Sequence, residues 1–287
     1  MKEVLNDKYK LCFFAILIAL FFSSCASSCA GSHHILNEQS NVLEGPRESF
    51  VKIEKILSVS GCSLDKTRCG STKFNSSASG AVVKNSFNGS YVLTAEHVCN
   101  DKYMKRLVSF PGVQSFELIF KAFDIDGKEY QVEIVSMDEP SDICVLWVEN
   151  LMKPSLELSD HEPEPGDRLY NVAAPLGIYS PNMIPLQEGL YNGTAGDKAL
   201  YSIPAVGGSS GSPVLNHHGE LVGMIHSVYV RFANVSLGPT YKNLMNFLND
   251  NIAIHEKIRI IKMRIEAMEE MIDLNVIMER TAKPPSP

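Results

Sequence analysis

From Phe50 onward the hydrophobic positions fall in short runs that alternate with polar residues and are separated by turn signals, the pattern of successive β-strands. Phe50–Val59 alternates. Gly80–Val83 and Tyr91–Thr94 flank Asn88-Gly89, and Phe116–Phe123 and Lys128–Ser136 flank Asp126-Gly127, two dipeptides that favour tight hairpins. Ile143–Val148 is continuously apolar, and Gly166–Ala173, Gly189–Thr194, Leu200–Ile203, Pro213–Leu215 and Leu221–Ile225 continue the series. Many short strands with little helical periodicity predict an all-β barrel or sandwich over residues 50–242.

The pattern changes at both ends. Ile254, Ile258, Ile261, Ile265, Met268 and Ile272 recur at alternating spacings of four and three, with Lys257, Arg264, Glu266 and Glu270 among the residues between them. This predicts an amphipathic helix of about 25 residues within 243–281. Its stripe either lies on the β-domain or forms a coiled-coil seam with a second copy of the chain. Residues 282–287, rich in proline, read as a disordered tail. At the other end, the apolar run Leu11–Phe22 follows Lys2, Lys8 and Lys10 and precedes the small residues of Ser23–Ala30. That is the layout of a secretory signal over residues 1–30. Phe22-Ser23-Ser24-Cys25 resembles a bacterial lipobox, which would make Cys25 a lipidated first residue and a membrane attachment; cleavage after Ala30 is the alternative. Residues 31–49 are polar and read as a linker.

With 45% hydrophobic and 21% charged residues, the chain has the composition of a globular protein. A net charge of -7 argues against nucleic acid as a main partner. No run of 18 or more apolar residues is present, so no conventional membrane span is expected. Of the seven cysteines, Cys12, Cys25 and Cys29 lie in the targeting region. Cys62, Cys69, Cys99 and Cys144 remain, an even number consistent with two disulfides in an oxidising compartment. Four cysteines allow three pairings and the spacing does not choose; Cys62–Cys69 with Cys99–Cys144 is the preferred set, and free thiols in a reducing compartment are the alternative.

The chemistry centres on Gly207-Gly208-Ser209-Ser210-Gly211-Ser212-Pro213, set between strand-like segments. Glycines between buried strands imply unusual dihedrals or close approach of a ligand to the backbone. A serine in such a loop can present its hydroxyl to a substrate while neighbouring N–H groups meet a developing oxyanion. A serine hydroxyl needs a base, usually histidine, oriented by a carboxylate. Most of the eight histidines sit in linker, turn or helix positions, but His97 closes Tyr91-Val92-Leu93-Thr94-Ala95-Glu96-His97 at a strand end. Asp142 opens the apolar strand Ile143–Val148; Asp138 is the fallback.

Gly208-x-Ser210-Gly211-x-Pro213 resembles the nucleophile loop of trypsin-like serine peptidases of the chymotrypsin fold, closest to the HtrA/Deg-type and glutamyl-endopeptidase branches. Leu93-Thr94-Ala95-Glu96-His97 and Asp142-Ile143-Cys144-Val145-Leu146 are similar to the segments around that family's catalytic histidine and aspartate, in the same order along the chain. The resemblance covers roughly residues 50–240. It implies a double β-barrel carrying the C-terminal helix, and peptide-bond hydrolysis without cofactor or metal on protein or peptide substrates. Ser210 would be the nucleophile, His97 the base and Asp142 its orienting carboxylate, with the N–H groups of Gly208 and Ser210 as the oxyanion hole. Pro204, Ala205, His226, Ser227 and Val228 would bind substrate, with His226–Tyr229 running beside its backbone. Bringing His97 and Asp142 together would also bring Cys99 near Cys144. Ser209 stands where digestive members carry aspartate, so activation by a new N-terminus is not expected. No acid precedes the nucleophile loop, which argues against cleavage after Lys or Arg. His226 faces either the specificity pocket, favouring Glu, or Asp142, favouring small or medium apolar residues. An inactive binding module on the same fold, or an envelope assembly protein, is the competing reading.

Overall fold

The computed structural model describes residues 43–63, 67–100, 102, 112–229, 232 and 234–281, with only the backbone path given for 273–281. The proposed signal, its Cys25 and most of the linker lie outside these residues. The chain divides into two units, 1–44 and 45–287, and every strand described belongs to the second. The residues just before the first strand form one helical turn, α1 (Glu44–Glu48), where a linker is expected from the sequence.

Six strands close the first lobe: β1 (Phe50–Cys62), β2 (Cys69–Ser86), β3 (Gly89–Thr94), β4 (Val113–Phe123), β5 (Glu129–Asp138) and β6 (Ile143–Glu149). They form a closed barrel in the order β1-β2-β3-β6-β5-β4. A single helical turn, α2 (Glu96–Cys99), follows β3 directly. β3 is buried at every position and β6 at all but its last, so these two form the wall that carries the site. β2 runs 18 residues, far beyond the four apolar positions that mark it in the sequence. Its polar half, Cys69–Ser77, is largely exposed and is held by its ladder to β1, with the Cys62–Cys69 disulfide pinning the register at the far end.

The second lobe comprises β7 (Arg168–Val172), β8 (Leu186–Ala195), β9 (Lys198–Tyr201), β10 (Ser212–Leu215), β11 (Leu221–Ile225), β12 (Ser227–Val228) and β13 (Ser236–Pro239). Its order is β11-β10-β7-β8-β9-β13-β12. The outermost strands, β11 and β12, are consecutive in the chain and separated by His226 alone. The sheet therefore curls until its two edges meet at that residue. The second barrel expected from the sequence is thus closed by a bend of one strand instead of a complete ladder.

The C-terminal helix, α3 (Tyr241–Thr281), is 41 residues long. Thr240 starts it by accepting the Asn243 N–H on Oγ1 (3.3 Å). Leu244, Leu248 and Ile252 are buried against the body. Farther along, Tyr91 Oη meets His255 Nδ1 (3.1 Å), Lys84 pairs with Glu256 (2.7 Å), and the Arg259 guanidinium stacks 3.4 Å from the Trp147 ring centre. The apolar positions from Ile254 to Ile272 that define the helix in the sequence are exposed.

Candidate active site

His97 lies in α2, the turn that leaves the end of β3. In the antiparallel β3–β6 ladder Thr94 stands opposite Cys144, so the residues beyond the end of β3 meet those just before β6. The Cys99–Cys144 disulfide ties the turn to β6, with Cα atoms 6.6 Å apart. Asp142 ends the turn before β6 in a left-handed conformation (φ 53°), a region that aspartate tolerates better than most residues.

The two side chains meet through a paired contact. His97 Nδ1 lies 3.0 Å from Asp142 Oδ1 and 2.9 Å from Oδ2, and the His97 backbone N–H donates to Oδ1 at 2.9 Å. Burial alone would raise the Asp142 pKa, but hydrogen bonds from the His97 side chain and backbone, with the charges of His97 and His226, hold it below the usual carboxylate range. A carboxylate that stays ionised fixes the proton of a neutral His97 on Nδ1 and leaves Nε2 as the acceptor. Asp138, the fallback, instead accepts the Ser141 N–H (3.2 Å) and shapes the turn.

Ser210 sits in a loop whose glycines are required by contact. Gly208 has φ 98°, and a Cβ there would lie 2.4 Å from the Ala174 carbonyl oxygen; one on Gly211 (φ 85°) would lie 2.2 Å from the Ser79 carbonyl oxygen and from Thr94 Oγ1. The Ser209, Gly211 and Ser212 N–H groups donate to Val206, Ile225 and Ser209 carbonyls. Those of Gly208 and Ser210 donate to no backbone acceptor among the described residues. Two unspent donors flank the Ser210 hydroxyl, as an oxyanion site requires. Ser210, Gly208 and His97 line one cavity of about 310 Å³. Ser210 Oγ donates to the His226 carbonyl (3.4 Å) and not to His97 in this structure. Apo enzymes often hold this bond loosely.

Ser79, which the sequence does not single out, connects the lobes at this loop. It is wholly buried on β2; its Oγ donates to the Gly208 carbonyl (2.8 Å) and accepts the Ala174 N–H (2.9 Å). Its N–H donates to the Ser210 carbonyl (2.9 Å), and its own carbonyl accepts Thr94 Oγ1 (2.9 Å). In the sequence it is one of several serines in a polar run, and nothing there separates it from the others.

Of the expected substrate-binding residues, Ala205 is buried with Ile203 and Ile225 in one apolar cluster against which Val228 packs. Pro204 is exposed, and Ser227 lines a larger cavity of about 540 Å³ together with His97, Asp142 and His226. The His226 side chain turns to Asp142, its Nδ1 3.6 Å from Oδ2. Of the two directions expected from the sequence, it takes the one toward Asp142.

The trypsin-like peptidase domain model matches residues 78–224, just over half of the chain. No curated protein matches. Among solved structures, the chain is similar to the serine endoprotease from Yersinia pestis, with 16% identity and a TM-score of 0.54 over 75% of this chain and 66% of that one. It is also similar to the active form of the Rv3671c protease from M. tuberculosis, with 16% identity and a TM-score of 0.52 over 73% of this chain and 83% of that one. At these identities the structures speak for the fold alone.

Proposed function

Because the chain belongs to the trypsin-like peptidase family, we propose that it is a serine endopeptidase working through Ser210, His97 and Asp142. The observation that carries this reading is the paired Asp142 contact on His97 Nδ1, which makes Nε2 the accepting nitrogen of a residue that lines one cavity with Ser210. A rotation about χ1 would carry Ser210 Oγ from the His226 carbonyl toward His97. Oγ then attacks the peptide carbonyl carbon while its proton passes to His97 Nε2. The carbonyl oxygen, now negative, accepts from the Gly208 and Ser210 N–H groups. His97 returns the proton to the departing amine nitrogen, the C–N bond breaks, and an ester on Ser210 remains. Water, deprotonated by His97, hydrolyses that ester by the same steps and restores the hydroxyl. Asp142 stays ionised throughout and stabilises the transient imidazolium.

No acid stands among Ile203, Pro204, Ala205 and Val206 ahead of the nucleophile loop, which favours small or medium apolar residues over Lys or Arg before the scissile bond. The two disulfides suit an oxidising compartment, and with the signal-like first thirty residues they support export, with Cys25 as the candidate lipid anchor. No helix among the described residues is long and apolar enough to cross a membrane. The exposed stripe of Ile258, Ile261, Ile265, Met268 and Ile272 is a candidate seam for self-association.

The competing reading, an inactive module, draws on the resting Ser210 hydroxyl, which donates to the His226 carbonyl and not to His97. A fluorophosphonate probe and a peptide library varied at the residue before the scissile bond separate the two. The endopeptidase reading expects labelling of the wild-type chain, none of Ser210→Ala, and cleavage chiefly after apolar residues. An unlabelled wild-type chain that cleaves no peptide would refute it.

A further inference from the structure

The Asp142 carboxylate has a histidine on each side. His97 is half exposed and already bonded to it; His226 is 7% exposed, and its Nδ1 lies 3.6 Å from Oδ2. That nitrogen is buried and has no hydrogen-bond partner among the described residues, an expensive state for a polar atom in a protein interior. The residue is anchored at its backbone: the His226 N–H donates to the Leu237 carbonyl (2.9 Å), at the bend where the second sheet closes on itself. A shift of under an ångström would bring Nδ1 into hydrogen-bond range of Asp142.

We propose that His226 is a positioning residue, donating its Nδ1–H to Asp142 Oδ2 and holding the carboxylate in the orientation that His97 needs. This rests on the endopeptidase reading. The groups that face the ring are Asp142 and His97 from the first lobe, Lys198 from β9, and the Gly238 backbone on β13; Asp197, Glu139, Glu96 and Lys102 line the same cavity. Burial foremost, with Lys198 and His97 assisting it, lowers the His226 pKa against the opposing pull of Asp142 and the Gly238 hydrogen bond. The ring is therefore neutral at pH 7 and carries one proton for two acceptors. The carboxylate is the stronger acceptor, so that proton belongs on Nδ1. Through Asp142, a neutral donor at this place tempers the charge felt by His97. Its removal leaves the carboxylate more strongly bound to the imidazolium.

Steady-state kinetics of the full chain across pH test this with three variants. Asparagine carries a donor close to the place of Nδ1, whereas glutamine places one nearer Nε2. His226→Ala should lower kcat about tenfold, below the hundredfold or more that a group transferring the proton itself contributes. KM should change little, and the acidic limb of kcat/KM should move to higher pH. His226→Asn should recover most of the rate and His226→Gln should not. Unchanged kcat and acidic limb in His226→Ala, or recovery by glutamine in place of asparagine, would overturn the proposal. Nitrogen-15 NMR of the wild-type chain gives a second readout that does not need activity. A neutral ring protonated on Nδ1 supports the proposal, and one protonated on Nε2 refutes it. Wild-type protein that neither hydrolyses peptides nor takes a fluorophosphonate would refute the endopeptidase reading instead, with the tautomer still deciding the role of His226.

Discussion

In the closed barrel, His97 and Asp142 follow from regular structure: a ladder pairing, a disulfide and a turn beside two buried strands. In the curled sheet, Ser210 sits on irregular backbone that is held from outside, by Ser79 of the other lobe and by the Ile225 carbonyl. The His97 side is thus built by repetition of one hydrogen-bond pattern, and the Ser210 side by a few specific contacts. The first arrangement resists change because its contacts are redundant. The second lets two N–H groups remain unspent, which a regular strand would not allow.

Removing the groups themselves has the largest effect. Ser210→Ala or His97→Ala should each reduce kcat by about 10⁴-fold or more, and the double variant should be little worse than either, because the members act as a unit. Additive losses in turnover assays would show that the two lobes contribute separately. Ser79→Ala sharpens the comparison next. It leaves the Gly208 carbonyl and the Ala174 N–H without their partner, and should lower kcat about tenfold to a hundredfold, less than the loss of a whole oxyanion donor. A peptide aldehyde, which mimics the tetrahedral adduct, should lose affinity in parallel, while a product-like peptide should not. Equal losses for both ligands would mean that Ser79 supports the loop without shaping the oxyanion site.

The disulfides offer the smallest effects and a contrast within the first lobe. Cys99–Cys144 closes a separation of 45 residues and Cys62–Cys69 one of 7, so loop-closure entropy assigns them about 4 and about 2 kcal/mol. Replacing each pair by serines should shift the urea midpoint more for Cys99–Cys144, and only that pair should also lower kcat. Equal loss of activity from the Cys62–Cys69 pair would show that the far end of the β1–β2 hairpin matters to the site.

The same difference between the lobes decides what could be read from the chain. Apolar runs such as Ile143–Val148 announce β6, and residues at their ends, His97 and Asp142, can be picked out because a strand has only two ends. Most of β2 cannot, because Ser71, Thr72, Asn75, Ser76 and Ser77 lack the apolar alternation that marks a half-buried strand; pairing with β1 makes it one. Ser79 is lost in that run for the same reason. The terminal helix is longer than its stripe predicts because Leu244, Leu248 and Ile252 dock it through a face other than the one Ile254–Ile272 displays. The direction of His226 turned on a single residue of register: β11 pairs with β10 without a shift from Gly223 to Ile225, so no bulge turns the side chain back to the other face.

If Ser210 is activated across the two lobes by His97, it must itself take the acyl group of the substrate. Mixing the full chain with an activated p-nitrophenyl ester, and following it by rapid-quench mass spectrometry, observes that step. One acyl group per chain is expected, located on Ser210, formed in a burst of p-nitrophenol and then lost as turnover proceeds, with no adduct in His97→Ala. An adduct on Ser209 or Ser212, or undiminished acylation of the His97→Ala chain, would show that the nucleophile or its base lies elsewhere.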